Sequence, residues 1–269
     1  MTEIKIKISD LRELCQLVSL EGKDVKGKQI MPISEFLINA NEGILQVEAI
    51  DKGNHLAIET SYKATVTVPG IVTIGDVAGF QGFLDRFGST DEIVLSTTEN
   101  KIILTRASPK KIAKIPMASP ESLEKKDAKI FLDRFKKGLD GYFASSKSNF
   151  GVKITVDASA VKSVIDDGEA VHQRVYPWSL KPEGLTVKVG TEQSGEIETD
   201  VVVKKLEKID DNAVNVQTAY AYGIDNVFGN VTGDVIISLI NGVGSCPMIV
   251  EKSTEKYNVR IVLAPVTIE

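Results

Sequence analysis

The chain contains an internal repeat whose period is the length of a whole domain. The segment Asn41–Val47 is echoed by Pro182–Lys188, and Asp91–Ser96 is echoed by Gly233–Ser238. The copies lie about 141 residues apart, and in each pair a turn leads into alternating apolar and polar residues. A period this long indicates two copies of one domain, and it argues against a solenoid of short repeats.

The predicted elements follow the same order in both halves of the chain. We therefore predict an α+β fold of two repeated antiparallel-sheet domains, each with two short helices, at residues 1–118 and 150–269. A linker at 119–149 joins them, and it is long for a connection. The predicted domain helices are Leu11–Leu20 capped by Asp10, a helix that Asp76 opens and Gly88 stops, Ala158–Asp167 and a helix near Tyr220–Val231. In the first of these, Leu11, Leu14, Cys15 and Val18 form an apolar stripe at helical spacing.

Composition limits the classes of protein that this chain can belong to. The 269 residues are 42% hydrophobic and 26% charged. No apolar run approaches the roughly 20 residues of a membrane-spanning helix, and the amino terminus has no signal-peptide core. We therefore expect an intracellular protein without a membrane partner. The net charge of −5 argues against a protein that coats nucleic acid over its whole surface, but it permits a basic lining inside an acidic shell.

The inventory of reactive residues does not support an enzyme. Cys15 and Cys246 lie in apolar segments, which is typical of reduced core cysteines. The histidines His55 and His172 are accompanied by no cluster of acidic ligands. A Gly75, Gly79 and Gly82 series lacks the spacing of a phosphate-binding loop, so we interpret these glycines as close-packing positions. We expect no catalytic residues, no metal and no cofactor.

Several segments resemble, in order, those of the DNA sliding clamps of the proliferating cell nuclear antigen (PCNA) family. Ile50–Leu56 resembles the Met-Asp-Ser-Ser-His-Val turn of that family, with one residue inserted. Val214–Tyr222 followed by Ile224–Phe228 resembles the last strand-to-helix passage of a clamp. Cys246–Val250 is similar to its Val-Pro-Leu-Val-Val strand, and Leu263–Pro265 reproduces its Leu-Ala-Pro end.

The resemblance implies a ring in which three two-domain subunits, here a homotrimer, close head to tail around double-stranded DNA. Helices would line the hole and contact the DNA backbone without regard to sequence. The basic lining positions match or neighbour Arg12, Arg86 and Lys162. The chain departs from the family at Asp85, Asp166 and Asp167, and its fourth helix has no Lys or Arg, so we expect a thin lining and weak DNA affinity.

The resemblance also implies a partner pocket on the outer face, under the linker. The residues that match it are Ile50, Leu56, Pro247, Val262, Ala264 and Pro265. Such a pocket receives a Gln-x-x-aliphatic-x-x-aromatic-aromatic segment as a single helical turn. The partners implied are DNA polymerase, the clamp loader and other proteins that carry this motif.

Charges on two strands suggest how subunits could pair. The last strand of the first half carries Lys110, Lys111 and Lys114, and a strand of the second half carries Glu196, Glu198 and Asp200. Opposite charges on two open sheet edges would pair subunits in one direction. The alternative is that they are ordinary edge-strand charges.

The linker itself contains a segment that resembles the partner motif. Lys136, Leu139, Tyr142 and Phe143 hold its key positions, with Lys in place of Gln. One hypothesis is that the linker occupies its own pocket or that of a neighbour. The alternative is an amphipathic linker helix at Ile130–Phe143 that packs on the sheet.

The function that this reasoning favours is a sliding-clamp subunit, a processivity scaffold without enzymatic activity. The alternative is a clamp-like decoy or checkpoint-type subunit that acts through protein contacts and does not slide on DNA. An enzyme with a hidden pocket is disfavoured by the residue inventory.

Overall fold

Antiparallel strands and short helices alternate along the chain, as described by a computed structural model for residues 1–23, 29–124, 128–146, 149–170, 175–191 and 195–266. The first half contains β1 (Glu3–Lys7), α1 (Ile8–Ser19), β2 (Gly22–Lys23), β3 (Gln29–Ile30), β4 (Phe36–Asn41), β5 (Ile44–Ile50), β6 (Leu56–Lys63), β7 (Thr65–Val68), β8 (Gly70–Ile74), α2 (Val77–Leu84), β9 (Glu92–Thr97), β10 (Lys101–Arg106) and β11 (Lys111–Pro116).

The linker and the second half follow. The linker contains α3 (Pro120–Glu124), α4 (Ala128–Leu132), β12 (Lys136–Lys137) and β13 (Phe143–Ala144). The second half contains β14 (Val152–Asp157), α5 (Ala158–Ala170), β15 (Tyr176–Lys181), β16 (Gly184–Thr191), β17 (Gly195–Val201), β18 (Val203–Lys208), β19 (Val216–Tyr220), α6 (Ile224–Asn230), β20 (Asp234–Leu239), β21 (Gly242–Val243), β22 (Met248–Ser253) and β23 (Tyr257–Leu263).

Three large sheets organise these strands. A five-stranded sheet has the order β11-β10-β9-β1-β7, and a second has the order β17-β16-β15-β19-β21. The third sheet has nine strands in the order β18-β14-β20-β22-β23-β6-β5-β4-β8, and it takes strands from both halves of the chain. The halves meet where β6 pairs antiparallel with β23, from Leu56 opposite Leu263 to Tyr62 opposite Tyr257. The predicted α+β class with mostly antiparallel sheets is confirmed.

The sequence repeat corresponds to matching hairpins, with one correction to its register. Hairpin β4–β5 turns through Glu42 and Gly43, both at positive φ, whereas hairpin β15–β16 turns one step earlier in the repeat, at 182–183. As a result Leu45, which is buried, matches the buried Leu185. The repeat as aligned in the sequence matches Ile44 with Leu185. In the structure Ile44 is 44% exposed and lies on the opposite face of its strand, so this register is off by one residue.

Apolar side chains fill both faces of the nine-stranded sheet. On one face α1 packs with the stripe that the sequence predicts, and Leu11, Leu14, Cys15 and Val18 are all buried. On the other face a smaller cluster lies between the sheet and the linker. Successive residues of a strand point to opposite faces, so Ile261 and Leu263 join the first cluster while Val262 joins the second.

The structure corrects several predicted helix boundaries. The first helix begins at Ile8, so Asp10 lies within its first turn and does not cap it. The second begins after Asp76, as predicted, and the Asp76 carboxylate accepts the Gly79 N–H, but the helix ends at Leu84, before Gly88. The third extends to Ala170, and the fourth begins at Ile224 because Tyr220 still belongs to β19.

The predicted linker helix at Ile130–Phe143 is wrong. Helix α4 ends at Leu132, and the segment that follows forms the β12–β13 hairpin. The Gly138–Tyr142 turn interrupts the helical pattern, because Gly141 has a φ of +79° and the Asp140 carboxylate accepts the Tyr142 N–H at 3.0 Å. Among the described residues, none of the helices has the length and apolar character needed to cross a membrane.

Candidate functional site

The four domain helices form one contiguous layer, called here the helix layer (α1, α2, α5 and α6). Helix α1 contacts α2, and α5 contacts α6. The two pairs are joined end to end, since the Asn226 side chain of α6 donates to the Leu20 carbonyl at 2.8 Å and Asn230 donates to the Glu21 carbonyl at 2.7 Å. Both halves of the chain thus contribute helices to a single surface.

Arg12, a predicted DNA-lining residue, is bound to its own subunit. Its guanidinium donates to the Leu84 carbonyl at 2.8 Å and to the Phe87 carbonyl at 3.3 Å, at the end of α2. The same group forms an ion pair with Asp85 at 3.2 Å. A cation at a helix carboxyl end neutralises the exposed carbonyls there. The side chain therefore holds α1 and α2 together, and it is only 27% exposed.

The other two predicted lining residues differ from each other. Lys162 on α5 forms an ion pair with Asp166 one turn later. Arg86 follows α2 and is exposed. On α6, burial raises the pKa of Asp225 above its ordinary value. Two of the three lining cations thus have an acidic partner within the chain, which leaves Arg86 as the most accessible of the three.

The predicted partner-pocket residues are divided between the two faces of the nine-stranded sheet. Ile50 and Val262 lie on the linker side and are buried. Leu56 is also fully buried, but it belongs to the cluster on the helix side. Pro247, Ala264 and Pro265 are partly exposed. The pocket that the sequence predicts as one surface is therefore covered on its apolar side.

The linker covers that side. We call the apolar sheet surface formed by Ile50, Ala57, Ile249 and Val262 the linker groove. Five side chains from the segment after residue 127 pack on it and are themselves buried: Ala128, Leu132, Phe135, Phe143 and Phe150. The ring of Phe150 contacts those of Phe135 and Phe143 edge to face, with 5.8 Å and 6.4 Å between ring centroids.

The predicted internal partner mimic is largely contradicted. Leu139 is fully exposed at the tip of the hairpin, and Lys136 is exposed as well. Tyr142 is partly buried and has the Lys153 ammonium 4.0 Å from its ring. Phe143 alone reaches the groove. A β-hairpin places alternate residues on opposite faces, so these four residues cannot share one helical face. Leu132 and Phe135 are absent from the predicted site, although their spacing of three residues before Lys136 and Lys137 is a signal in the sequence.

The two charged strands of the sequence prediction each end a sheet. Strand β11 carries Lys111 and Lys114, and Lys110 lies in the turn before it. Strand β17 carries Glu196, Glu198 and Asp200. Within the described ranges, neither strand has a neighbour on its outer side. The β17 carboxylates already have partners in the chain, since Lys188 lies 3.1 Å from both Glu196 and Glu198, and Thr186 donates to Asp200 at 2.8 Å.

The remaining reactive residues are structural in their surroundings. Cys15 and Cys246 are both free and buried, and burial raises the pKa of Cys246 to about 11. His55 lies 3.5 Å from the buried Asp51, whose carboxylate accepts N–H groups from the turn before β6, and His172 lies outside the described residues. Across the described parts of the chain no cluster of three or more metal-binding side chains occurs.

The predicted close-packing role of the three glycines is supported in part. A side chain at Gly75 would meet Ala118 at 2.8 Å, and one at Gly79 would meet the capping Asp76 carboxylate at 2.4 Å. Gly82 is different, since a methyl group there would have no neighbour within 4 Å. Close packing therefore does not explain Gly82.

Comparisons with known proteins place the fold. No protein-family model matches the sequence, and no curated protein matches it. Among solved structures, the chain is similar to PCNA from Thermococcus kodakaraensis, with 17% identity and a TM-score of 0.70 over 99% of this chain and 100% of that one. It is also similar to A. fulgidus PCNA bound to the C-terminal region of FEN-1, with 12% identity and a TM-score of 0.70 over 100% and 99%.

A third structure extends the comparison to an assembly. The PCNA2–PCNA3 complex from Sulfolobus tokodaii matches with 14% identity and a TM-score of 0.68, covering 98% of each chain. At identities this low, the likeness establishes the fold. Because it extends over nearly the whole of every chain compared, this protein has the fold of the PCNA sliding clamps.

Proposed function

We propose that this chain is a subunit of a DNA sliding clamp, a homotrimeric ring that encircles double-stranded DNA inside the cell. In this proposal residues 1–118 and 150–269 are the two clamp domains, and residues 119–149 connect them. The ring tethers DNA polymerase and other replication or repair proteins and depends on a clamp loader in the cell. It catalyses no reaction itself.

The observation that supports this proposal most is the junction between β6 and β23. In the first half β9, β10 and β11 follow one another in the sheet beside β1, and in the second half β20, β22 and β23 do so beside β14. Strand β11 is therefore the counterpart of β23. By the same reasoning β17 is the counterpart of β6, because β15, β16 and β17 repeat β4, β5 and β6.

The β6–β23 pairing joins the two halves within one copy of the chain. A second pairing of the same kind can therefore join two copies. Strand β11 of one copy would pair antiparallel with β17 of the next, as β23 pairs with β6. A contact between two different surfaces of the same chain is heterologous, and it gives a closed ring when the rotation closes. The geometry supports head-to-tail association, and the number of three copies comes from the likeness to PCNA.

The charges on the edges are compatible with this pairing. At the internal junction Arg260 of β23 lies opposite Glu59 of β6, with 2.5 Å between guanidinium and carboxylate. Glu59 lies opposite Glu48 on β5, and Glu198 occupies the matching place opposite Lys188 on β16. Glu198 is therefore the counterpart of Glu59.

On the other edge the counterpart of Arg260 is Ile112, because each lies two strands along from the matched residues Val94 and Ile236. Lys114, two residues further on, would lie opposite Glu196 of a neighbouring copy and diagonally from Glu198.

Two of the similar structures support protein partners. One contains the C-terminal region of FEN-1 bound to PCNA of A. fulgidus, and another contains PCNA2 with PCNA3 of S. tokodaii. For this chain we propose the same two kinds of contact, with short segments of other proteins at the linker groove and with further copies of itself at β11 and β17.

The helix layer supports only weak direct contact with DNA. Each phosphate neutralised by a free cation adds to affinity through release of counterions. Arg12 and Lys162 are occupied by Asp85 and Asp166, so the layer offers few free cations. Retention on DNA would then depend on encirclement and little on attraction.

The same observation favours a second candidate, a clamp-like decoy or checkpoint-type subunit that acts through protein contacts alone. A chain of that kind needs no basic lining. It would use the groove and the edges without ever surrounding DNA.

One experiment separates these candidates and does not require a loader. A linear duplex with biotin at both ends is blocked with streptavidin either before or after the protein is added, and complexes are isolated in high salt. A ring threads over open ends, so we expect retention only when the ends are blocked afterwards. Light scattering should show three copies per particle.

Equal, salt-sensitive binding in both orders of addition would contradict encirclement and favour the decoy. A particle of one chain at all concentrations would contradict the ring. A closed circular duplex added without any loader serves as the control, because a closed ring cannot thread onto it.

A further inference from the structure

We infer that the linker turn, residues 128–135, is a displaceable occupant of the linker groove, which binds this segment of its own chain as it would bind a partner segment. This inference rests on the proposed docking function of the groove. It replaces the hairpin segment of the sequence hypothesis with a different part of the linker.

The linker turn has the form of a peptide docked in a groove. Helix α4 ends in two tight turns, in which the Arg134 N–H donates to the Phe131 carbonyl and the Phe135 N–H donates to the Leu132 carbonyl. These bonds keep Leu132 and Phe135 on one face, where both are buried on the sheet. Apolar anchors three residues apart on a single turn are the usual contacts of a short helix in an apolar groove.

The opposite face of the turn is exposed to solvent. Ile130 is 59% exposed, and Asp133 and Arg134 are exposed as well. The segment therefore contacts the sheet through one face, as a separate peptide would. It is not buried on all sides as a core helix would be.

Side chains at the carboxyl end of the turn fasten it to the sheet. Arg260 donates to the Phe135 carbonyl at 2.9 Å, and Lys137 lies 2.8 Å from the Glu251 carboxylate. The polar part of the Arg260 contact involves a backbone carbonyl, which any peptide in the same position would also offer. The contact is thus suited to exchange between the linker turn and an incoming segment.

The occupied groove would lower the apparent affinity for partners. When a binding site is open for only a fraction of the time, the apparent Kd rises by the inverse of that fraction. A turn that is docked about nine-tenths of the time would weaken binding of any competing segment by about tenfold. Partner binding would therefore be coupled to release of the linker.

The test uses the intact chain and a probe made from its own sequence. The probe is an acetylated, amidated peptide of residues 128–135, and binding is followed by methyl NMR at Ile50 and Val262. In the double variant Leu132→Asp with Phe135→Asp, we expect half-saturation at a peptide concentration at least tenfold lower than in the unaltered chain. The matched control Ile130→Asp, on the exposed face, should leave the peptide affinity unchanged.

A milder variant keeps the test decisive if the double variant unfolds. Lys137→Ala removes a contact that the linker has and the probe lacks, so it should lower the half-saturation concentration by about two- to fivefold. A probe with Asp at both anchor positions should not bind. Methyl signals of Ile58 and Leu263, on the helix side, report whether each variant is folded.

The outcomes distinguish this inference from the proposed function. Equal peptide affinity in all folded variants, or no shift at Ile50 and Val262 at millimolar probe, would overturn the self-docking turn. The blocked-end DNA experiment does not involve the groove. If DNA is retained only when its ends are blocked afterwards but all folded variants bind the peptide equally, the clamp is supported and the self-docking turn is overturned. If DNA is not retained but the peptide affinities change as predicted, the self-docking turn is supported and the clamp is overturned.

Discussion

Glu48 and Glu59 lie directly opposite each other on β5 and β6, which is an unfavourable arrangement of charges. The pKa of Glu48 is raised above its ordinary value, first by burial and then by Glu59, with a further contribution from Asp133. Lys129 and Arg260 act in the opposite direction. The unfavourable pair lies beside the linker turn, at the edge of a cavity of about 350 Å³.

The first prediction concerns this carboxyl group. Because the folded chain holds the Glu48 proton more tightly than the unfolded chain does, stability present at low pH is lost as the pH rises through the raised pKa. Glu48→Gln should therefore raise the free energy of unfolding at pH 7 by about 0.2–1 kcal/mol. The gain should shrink as the pH falls into the range of Glu titration.

Urea unfolding at several pH values measures this effect, with the exposed turn residue Glu99 as control. Glu99→Gln should change stability little at any pH. A Glu48→Gln variant that is less stable than the unaltered chain at neutral pH would show that the ionised carboxylate is favourable where it lies.

Single residues show which features can be predicted from the sequence and which cannot. The apolar stripe of α1 and the start of α2 after Asp76 were predicted correctly, because both depend on local spacing. The partners of Arg12 are not predictable from the sequence, since Leu84 ends another helix, Phe87 follows it, and their carbonyls carry no sequence signal. Long-range contacts of this kind depend on packing of whole elements.

At the level of elements, one polar side chain links α1 to the end of α2, in addition to the apolar core that both helices share. Arg12 donates to the Phe87 carbonyl and adds a second donor to the Leu84 carbonyl, which also accepts the Phe87 N–H at 3.0 Å. Arg86 lies two residues after Leu84, the last residue of α2, and is exposed by contrast. The two arginines therefore differ in structural role, since only Arg12 joins two helices.

The second prediction uses this pair. Arg12→Gln should lower the free energy of unfolding by about 1–2 kcal/mol, because the Phe87 carbonyl and Asp85 lose their Arg12 partner and the Leu84 carbonyl loses one of its two donors. Arg86→Gln should change stability by less than about 0.5 kcal/mol. Urea unfolding of both variants, run in parallel, measures the difference. Equal losses of stability would contradict the assigned role of Arg12.

The linker is the element that sequence reasoning interpreted least well. Its apolar residues recur with a helical period up to Phe143, but Gly138 and Gly141 place a turn within that pattern. A local pattern cannot show that the helix ends at Leu132, because the aromatic cluster on the sheet determines the path of the chain. The predicted packing of the linker on the sheet is nevertheless what the structure shows.

At the scale of the whole molecule, the internal repeat is the sequence feature from which most of the fold can be predicted. It predicted the α+β class, since both copies carry the same order of alternating strands and amphipathic helices. It did not reveal that β6 and β23 join the halves into one nine-stranded sheet. Pairing between distant strands has no local signature in either strand.

The third prediction tests the proposed pairing of copies by charge exchange. Lys114→Glu on β11 would face Glu196 of a neighbour directly and Glu198 diagonally, and Glu196→Lys on β17 would face Lys114. Each change alone should weaken association at least tenfold, since like charges at an interface are strongly unfavourable. The double variant should recover most of the loss.

Light scattering over a range of protein concentrations measures the association. The control is Lys5→Glu, an exposed position on the interior strand β1, which should leave association unchanged. If the two single changes add in the double variant and do not compensate, these side chains do not meet between copies.

The internal β6–β23 contact has a mechanical consequence for any annulus built from this chain. The junctions between domains of such a ring would be of two kinds. Those within a chain pair β6 with β23 and are covered by the covalent linker and its aromatic side chains, whereas those between chains would be held by the pairing of β11 with β17 alone. A force that opens such a ring would act most on the junctions between chains. The ring would therefore open at one of these junctions to admit a duplex, while each protomer moved as a rigid body.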